Sequence, residues 1–501
     1  MNHNKLILLI VTIFLVILLS ITSGRVFCQR FYLDGNIEDT SADSIVINVC
    51  PYYSYYRGEA DAKKFYLPVK NHYFKLSTEL QSDYSYISVY SKVDKQFRLL
   101  IRLFLITSGD IVHVNIKKNM MLFNGKGAEK YNCQFALENV PENHISQEEL
   151  RSFKNTTTDL KFNMFVKKRK DSLTEVKLGL LDHYKNLLKP QTFELLKINV
   201  IAESWFELYN NISLNFKYDP DENEIAREDK IRFFYELEKY QLPPNLNSVL
   251  LAHSSSAPDY LIRKAAQEKR FAWYLNKIPG VPNFDPLIMA RNASRRFGEL
   301  LKERMYVECF NAFYRPRSHR DESELETALS ETQNPYFHDF LFNLKQALNY
   351  GRKAFNFTLT NQWDQKVSLS DFKGKVVILD FWFKGCFFCA QLEKRMKGIR
   401  QHFAQDTKVV FVSVNVDNDK NEFLKGLASG LYTGKDEVNL FTGGAAFDHP
   451  LVKYYRIIGC PEMVIIDKKQ RTFYSKPPRP VDEVSDKNFV RIIQKAEKLP
   501  D

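Results

Sequence analysis

Two cysteines separated by two residues, Cys386 and Cys389, form a pattern whose residue types and spacing indicate covalent sulfur chemistry. In such a pair the first sulfur attacks as a thiolate and makes a mixed disulfide with a partner. The second sulfur lies close enough to resolve that intermediate, so the pair cycles between dithiol and disulfide. We therefore expect Cys386 to attack and Cys389 to resolve.

The same spacing also serves structural zinc sites, but a zinc site needs two further ligands at comparable spacing. The nearest candidate ligands, His402, His449 and Cys460, are scattered along the chain. We therefore expect no metal at the motif. No dissociable cofactor is implied either, because the electrons of disulfide exchange reside on the sulfurs.

The residues around the motif predict a strand before it and a helix after it. Val376–Trp382 is a nearly continuous apolar run, which is typical of a strand buried on both faces of a sheet, and Gln391–His402 reads as a helix. The cysteine pair should lie at the turn between them. The unpaired N–H groups and the dipole of the helix N-terminus would favour the thiolate of Cys386 there.

Asp380 stands within this apolar strand, six positions before Cys386. A carboxyl group in that place should lie in dry surroundings beneath the cysteine pair, where desolvation raises its pKa. It would then accept the proton of the resolving thiol, as a general base. The alternative is an Asp that faces solvent at the strand end, since a buried acid is otherwise costly.

Three segments before the motif carry a resemblance to a known family: Phe357–Leu359, Val367–Val377 and Asp380–Trp382. Their spacing to the cysteine pair resembles that of the TlpA/ResA-like thiol–disulfide oxidoreductases, which have a thioredoxin fold. The segment Ile457–Pro461 is similar to the cis-proline loop of that family. The resemblance implies that Pro461 shapes the groove for the partner, facing Cys386.

The chain departs from the family beside the cysteines. Gly385 replaces the usual Trp, and Phe387 and Phe388 replace the commonest Gly-Pro, so a redox potential cannot be carried over. We expect the two Phe rings, with Cys460 and Pro461, to form the substrate-binding surface. Cys460 either packs as a small hydrophobic residue or acts as a third thiol that traps Cys386, and both readings stay open.

The chain as a whole predicts a multidomain protein, in which two parts precede the one that holds the cysteine pair. Residues 29–140 contain short alternating runs broken by turn residues, which predict an antiparallel β-sandwich or small barrel. Residues 141–350 change to helical periodicity, and residues 351–501 hold the α/β thioredoxin fold. The β-rich part is similar to the module that Gram-negative envelope proteins place before such domains.

Residues 1–28 read as a signal peptide. Lys5 precedes the apolar run Leu6–Ile21, whose 16 residues are short for the roughly 20 that a spanning helix needs. We expect cleavage after Cys28, although an uncleaved anchor and a lipid-modified Cys28 remain alternatives. The mature protein is then exported to the cell envelope, in the periplasm, where disulfides can form.

Charge and composition restrict the partners. The chain carries 71 Lys and Arg against 60 Asp and Glu, a net charge of +11 without dense basic blocks, so no nucleic-acid partner is expected. The expected partners are protein thiols and disulfides in the cell envelope, together with a redox donor or acceptor. Membrane contact would come only through an uncleaved leader.

Two other functions compete with thiol–disulfide exchange. One is a non-catalytic scaffold that uses the thioredoxin domain to dock partners. The other is a peroxidase that uses Cys386 alone, which is disfavoured because Phe383 stands where peroxiredoxins have Thr.

The leader gives a first prediction: the mature chain begins near Gln29. N-terminal analysis or intact-mass measurement of protein from the native envelope tests this. A chain that begins at Met1 would demonstrate an uncleaved anchor, and a lipid on Cys28 would equally contradict the predicted cut.

Overall fold

The computed structural model describes residues 30–39, 41–55, 57–59, 61–93, 96–117, 120–141, 152, 159–211, 220–243, 245–278, 282, 284–313, 319–348 and 350–499. The predicted signal peptide, residues 1–28, lies outside these ranges. Within them, no helix combines the length and the apolar character that crossing a membrane requires. The chain divides into two units, Met1–Lys264 with Arg270–Gly280 and Ala265–Lys269 with Val281–Asp501.

The first unit begins with eight strands in its described residues. They are β1 (Arg30–Ile37), β2 (Ser44–Cys50), β3 (Lys63–Pro68), β4 (Tyr73–Glu79), β5 (Tyr84–Val93), β6 (Gln96–Thr107), β7 (Ile111–Lys117) and β8 (Met120–Lys126). They form two four-stranded sheets, in the orders β4–β1–β7–β8 and β3–β2–β5–β6. Alternate side chains of both sheets meet in one apolar core that includes Phe31, Ile47, Phe74 and Phe104. The β-rich fold expected here is confirmed.

One strand pair differs from the antiparallel expectation. Strand β1 runs parallel to β7, with Leu33 beside Val112, and antiparallel to β4. The alternation of buried and exposed residues in β1 gives a strand but not its direction, because direction depends on a partner far along the chain. The prediction of a purely antiparallel module was therefore wrong at this one pair.

Helices follow the eight strands: the first lies inside residues 29–140, which the sequence predicted to be β-rich, and the others lie in residues 141–350, where the periodicity predicted helices. They are α1 (Ala128–Glu138), α2 (Asp159–His183), α3 (Pro190–Asn211), α4 (Glu224–Leu237), α5 (Ser248–His253), α6 (Ala257–Leu275), α7 (Pro286–Ser294), α8 (Glu299–Phe313), α9 (His319–Glu331) and α10 (Pro335–Leu348). The boundary between the two units falls within α6 and again near residue 280. The helical middle thus contributes to both units, and the four-part division by residue number stays a prediction.

The C-terminal part of the second unit contains a seven-stranded sheet in the order β10–β9–β13–β12–β11–β14–β15. Its elements are β9 (Thr358–Asn361), β10 (Lys366–Ser368), β11 (Val376–Trp382), α11 (Phe387–His402), β12 (Val409–Asn415), α12 (Lys420–Ser429), β13 (Val438–Phe441), α13 (Pro450–Tyr454), β14 (Glu462–Ile466), β15 (Thr472–Tyr474) and α14 (Glu483–Glu497). Every residue of β11 is buried, as its apolar run predicted. This is a thioredoxin-like α/β fold.

The side chains of β11 alternate between two cores. Val376 and Ile378 pack with helices α11 and α14, while Val377 and Leu379 pack in the core on the opposite face. Asp380 and Trp382 therefore point to the same side as α11, because side chains two apart share a face of a strand. This placement puts the strand's one acid under the helix that begins at the cysteine pair.

Trp382 packs against Gly426 so closely that a larger residue at position 426 would force the neighbouring atoms to shift. A Cβ atom at Gly426 of α12 would lie 2.6 Å from Cζ3 of Trp382, and the Trp ring is fully buried. Helix α12 can therefore approach the end of β11 only because residue 426 lacks a side chain.

We predict that Gly426→Ala destabilises the oxidised full chain by about 1–3 kcal/mol, because the methyl group overpacks a rigid ring. Gly398→Ala in helix α11 is the matched control. Beyond its two chain neighbours and the backbone of its own helix, no atom of the described residues lies within 4 Å of a Cβ at that position, so this change should stabilise by about 0.5–1 kcal/mol through helix propensity. Denaturant titration of both variants measures the difference. Equal effects in the two would contradict the packing argument.

Candidate redox site

Cys386 and Cys389 are joined by a disulfide bond at the start of helix α11, with their Cα atoms 5.3 Å apart. Cys386 is the residue that caps this helix, and its Sγ accepts a hydrogen bond from the backbone N–H of Cys389 at 3.1 Å. The reactive sulfur thus takes the place that a Ser, Thr or Asp oxygen usually occupies at a helix N-terminus. Both cysteines are buried, with 4% and 3% of their surfaces exposed.

The turn between β11 and α11 is held by hydrogen bonds from its backbone. The N–H of Gly385 donates to the hydroxyl of Tyr432 at 3.0 Å, and the N–H of Lys384 donates to the carboxylate of Asp417 at 3.0 Å. Gly385 has a φ of 91°, a conformation that residues with a side chain rarely adopt. The glycine that replaces the family's usual Trp therefore has a backbone role.

Tyr432 also fixes the end of strand β11. Its ring stacks on Trp382 with ring centroids 5.5 Å apart, and the indole N–H of Trp382 donates to Oγ of Ser413 at 3.1 Å. Neither Tyr432 nor Ser413 was singled out from the sequence. Their contacts join segments far apart in the chain, and no local pattern reports such contacts.

The cis-proline loop lies beside the disulfide. The peptide bond between Cys460 and Pro461 is cis, as the family resemblance implies. Sγ of Cys386 lies 3.6 Å from the carbonyl oxygen of Cys460, and Cys460 packs in the same apolar cluster as both bonded cysteines. Burial raises the pKa of the Cys460 thiol, and the charge of Asp380 raises it further. A thiol that stays protonated is a poor nucleophile, which favours the packing role for Cys460.

Phe387 and Phe388 occupy the first turn of α11 and face solvent. They are 67% and 68% exposed, and their rings meet edge to face with centroids 5.5 Å apart. Two large aromatic rings exposed together beside buried sulfurs are a typical feature of a contact surface. The role of the two rings in partner binding stays a prediction.

Asp380 is buried beneath the pair, and its Oδ1 has no hydrogen-bond partner among the described residues. Burial raises the pKa of this carboxyl well above its ordinary value, and the nearby charges of Glu437 and Glu393 raise it further. The guanidinium groups of Arg400 and Arg479 oppose that rise. The structure therefore favours the dry carboxyl over the solvent-facing alternative.

Sequence reasoning missed the charged residues around Asp380. Glu393 and Arg400 lie on the buried face of α11 and Glu437 just before β13, and Arg400 forms ion pairs with both carboxylates at 2.5 Å. The sequence pattern could have indicated that two of them are buried, since Glu393 and Arg400 lie on the same face of the helix as the apolar residues Leu392 and Met396. Glu437 gave no local signal.

No group of three metal-ligating side chains occurs in the ranges that the structure describes. The remaining cysteines of those ranges apart from Cys460, which are Cys50, Cys133 and Cys309, are buried thiols that take no part in a disulfide. A bridge between Cys50 and Cys133 is therefore absent.

Asp380→Asn should stabilise the protein in a pH-dependent way. A carboxyl whose pKa is higher in the folded than in the unfolded state lowers folding stability as pH rises from its unfolded value, about 3.9. The variant should therefore gain on wild type from about pH 4 upward, by about 1.4 kcal/mol per pH unit, until the pH passes the folded pKa.

Denaturant titrations of the oxidised protein between pH 4 and pH 9 measure this gap. Asp339→Asn, at a side chain that is 80% exposed, is the control for replacing a surface carboxylate by an amide. A gap for Asp380→Asn that stays flat or shrinks with pH would show that the carboxyl is solvated.

Comparison with known proteins adds independent support for the C-terminal domain. A family model described as AhpC/TSA matches residues 350–471. The thiol–disulfide oxidoreductase ResA of Bacillus cereus is 28% identical over 127 residues, which cover 25% of this chain and 69% of that protein. The ResA protein of Bacillus subtilis is 35% identical over 80 residues, which cover 16% of this chain and 44% of that protein.

Solved structures are similar to part of this chain. The thioredoxin domain of a thiol–disulfide oxidoreductase from Bacteroides vulgatus is 26% identical, covers 29% of this chain and 96% of its own, and has a TM-score of 0.25. A thiol:disulfide interchange protein from a Bacteroides species is 24% identical, covers 30% of this chain and 90% of its own, and has a TM-score of 0.25. The C-terminal part of this chain thus matches the AhpC/TSA family model, has a thioredoxin-like fold and is similar in sequence to thiol–disulfide oxidoreductases.

Proposed function

We propose that this protein is an exported thiol–disulfide oxidoreductase that exchanges disulfides with protein partners of the cell envelope through Cys386 and Cys389. One observation carries the proposal: the two sulfurs are bonded at a helix N-terminus, beside a cis-proline loop and above a buried acid. Each of these parts has a defined task in thiol–disulfide exchange.

When the pair is reduced, the thiolate of Cys386 attacks one sulfur of a partner disulfide. The partner's S–S bond breaks, a mixed disulfide forms, and the first partner sulfur leaves as a thiolate that takes up a proton. Cys389 then loses its proton and attacks Sγ of Cys386. The second partner sulfur leaves, so the partner gains two electrons and two protons while the pair becomes a disulfide.

Asp380 serves the step at Cys389 in both directions. During resolution its carboxylate accepts the proton of the Cys389 thiol, which raises the concentration of the attacking thiolate. In the reverse direction the protonated acid donates to Cys389 as that sulfur leaves. A raised pKa suits this exchange, because a carboxyl with an ordinary pKa would be a weak base toward a thiol.

The exposed surface around the pair favours an apolar, extended partner segment. Phe387 and Phe388 offer two aromatic faces without charge, and the carbonyl oxygen of Cys460 stands 3.6 Å from the attacking sulfur. A partner backbone that runs past the Cys460–Pro461 loop would place its own sulfur against Cys386. The Phe rings would then contact the side chains that flank the partner cysteine.

The envelope setting rests on the leader and on the chemistry. Residues 1–28 have the charged and apolar regions of an export signal, and lasting protein disulfides occur mainly in oxidising compartments. Partners there are proteins with thiols or disulfides, together with a redox protein that restores the pair.

We predict that Cys389→Ser freezes the mixed disulfide, because the resolving sulfur is absent while the attacking one remains. In the native envelope this variant should accumulate covalent adducts that disappear on reduction. Non-reducing electrophoresis followed by mass spectrometry measures them and identifies the partner proteins.

Cys386→Ser is the control, since the nucleophile is lost and no adduct should form. The variant with both cysteines replaced gives the background. If Cys389→Ser captures no more than the double variant, and wild type fails to reduce a model disulfide such as insulin, the domain is a non-catalytic docking module.

A further inference from the structure

A band of polar side chains crosses the sheet beneath helix α11. Asp380 of β11 lies beside Ser413 of β12, and Ser413 lies beside Asn439 of β13. Partners in adjacent parallel strands point to the same face, so all three side chains face α11. They are 7%, 0% and 5% exposed, so the band is buried between the sheet and the helix.

Hydrogen bonds connect the far end of this band to the loop before β13. Oγ of Ser413 donates to Oδ1 of Asn439 at 2.6 Å, and the amide of Asn439 donates to the carbonyl oxygen of Gly434 at 3.2 Å. The N–H of Gly434 in turn donates to the carboxylate of Glu437 at 2.9 Å. Glu437 stands two residues before Asn439, directly before β13, and its carboxylate is thereby linked to the band.

A buried guanidinium closes the band from the helix side. Arg400 is 4% exposed and donates to both carboxylate oxygens of Glu393 at 2.5 and 2.9 Å. It also pairs with Glu437 at 2.5 Å and with Asp436, on the more exposed side, at 3.3 Å. One buried cation therefore binds two buried carboxylates, and Asp380 adds a third acid to the same space.

Such an arrangement is weak evidence for stability, because burying ions costs about as much as their attraction returns and apolar residues of similar size often do as well. Buried acids that interact near a reactive group are instead typical of sites that control proton transfer. We infer that Glu437, held by Arg400, is a positioning residue that sets the proton affinity of Asp380 and thereby the pH range of disulfide exchange.

This inference rests on the proposed function and deepens it by naming how the site is regulated. The negative charge of Glu437 makes a second negative charge on Asp380 unfavourable, so Asp380 keeps its proton to higher pH. Burial raises the pKa of Glu437 itself to about 7, so its own charge changes near neutral pH. Exchange should then respond to two coupled acids instead of one.

The charged groups that influence Asp380 come from several elements. Helix α11 contributes Glu393 and Arg400, the loop before β13 contributes Glu437, and the segment after β15 contributes Arg479. Arg479 pairs with Glu462 of β14 at 3.6 Å. Of the two acids that raise the pKa of Asp380, only Glu437 is joined through hydrogen bonds to Asn439 and Ser413, which makes it the position to test.

The test is the pH dependence of thiol–disulfide exchange between the full-length protein and glutathione disulfide from pH 5 to pH 10. Glu437→Gln keeps an oxygen for the N–H of Gly434 but removes the negative charge. The exchange rate rises as Asp380 loses its proton, and the midpoint pH of that rise should fall by about one unit in this variant. Infrared difference spectra should show the same shift in the carboxylic-acid band that Asp380→Asn abolishes. Glu437→Asp keeps the charge and should keep the wild-type midpoint.

Asp436→Asn is the matched control, because it removes a neighbouring charge from the same guanidinium at a side chain that is 66% exposed. Its midpoint should stay at the wild-type value, and an equal shift there would overturn the assignment to Glu437. A wild-type midpoint in Glu437→Gln, while Asp380→Asn loses the transition, would overturn the inference and leave the proposed function intact. If Asp380→Asn also behaves as wild type, the proton role of Asp380 in the proposed function fails instead.

If Glu437→Gln does not fold, Glu437→Met takes its place. It removes the same charge and keeps a side chain of similar length, so a downward shift supports the inference and an unchanged midpoint contradicts it.

Discussion

The hydrogen bond from the backbone N–H of Cys389 to the sulfur of Cys386 is the contact on which the redox site depends. A helix N-terminus leaves N–H groups without partners, and here one of them is satisfied by the atom that does the chemistry. Such a bond strengthens when its acceptor becomes charged, so the helix favours the thiolate of Cys386 once the disulfide opens. The strand, the turn and the helix all serve to hold this one sulfur in place.

Two buried acids of this chain, Asp110 and Asp380, differ in how many hydrogen-bond donors surround them. In the β-rich module Asp110 accepts hydrogen bonds from Lys130 at 2.6 Å, from Tyr131 at 2.8 Å, and from the N–H and hydroxyl of Thr107 at 2.8 and 3.0 Å. Asp380 instead keeps an oxygen with no partner among the described residues and lies among other acids. The first arrangement fixes a turn in one conformation, whereas the second leaves a carboxyl free to gain and lose a proton.

The features that sequence reasoning predicted are those that local pattern determines. The apolar run of β11 predicted a doubly buried strand, and the position of Asp380 in it predicted a dry carboxyl. The parallel pairing of β1 with β7 and the presence of Glu437 beside Arg400 were not predictable in this way. Both depend on segments that meet only after the chain has folded, and periodicity within one element carries no information about its neighbours.

The left-handed backbone of Gly385 has a consequence for protein engineering. Restoring the family's usual Trp at this position would place a bulky side chain where only a residue without Cβ is unstrained. A graft of the common active-site tetrapeptide onto this scaffold therefore has to rebuild the turn from Trp382 to Cys386 as well, including the bond from Gly385 to Tyr432. In this chain the side chains of the motif can therefore be exchanged for those of a relative only together with the backbone of the turn that carries them.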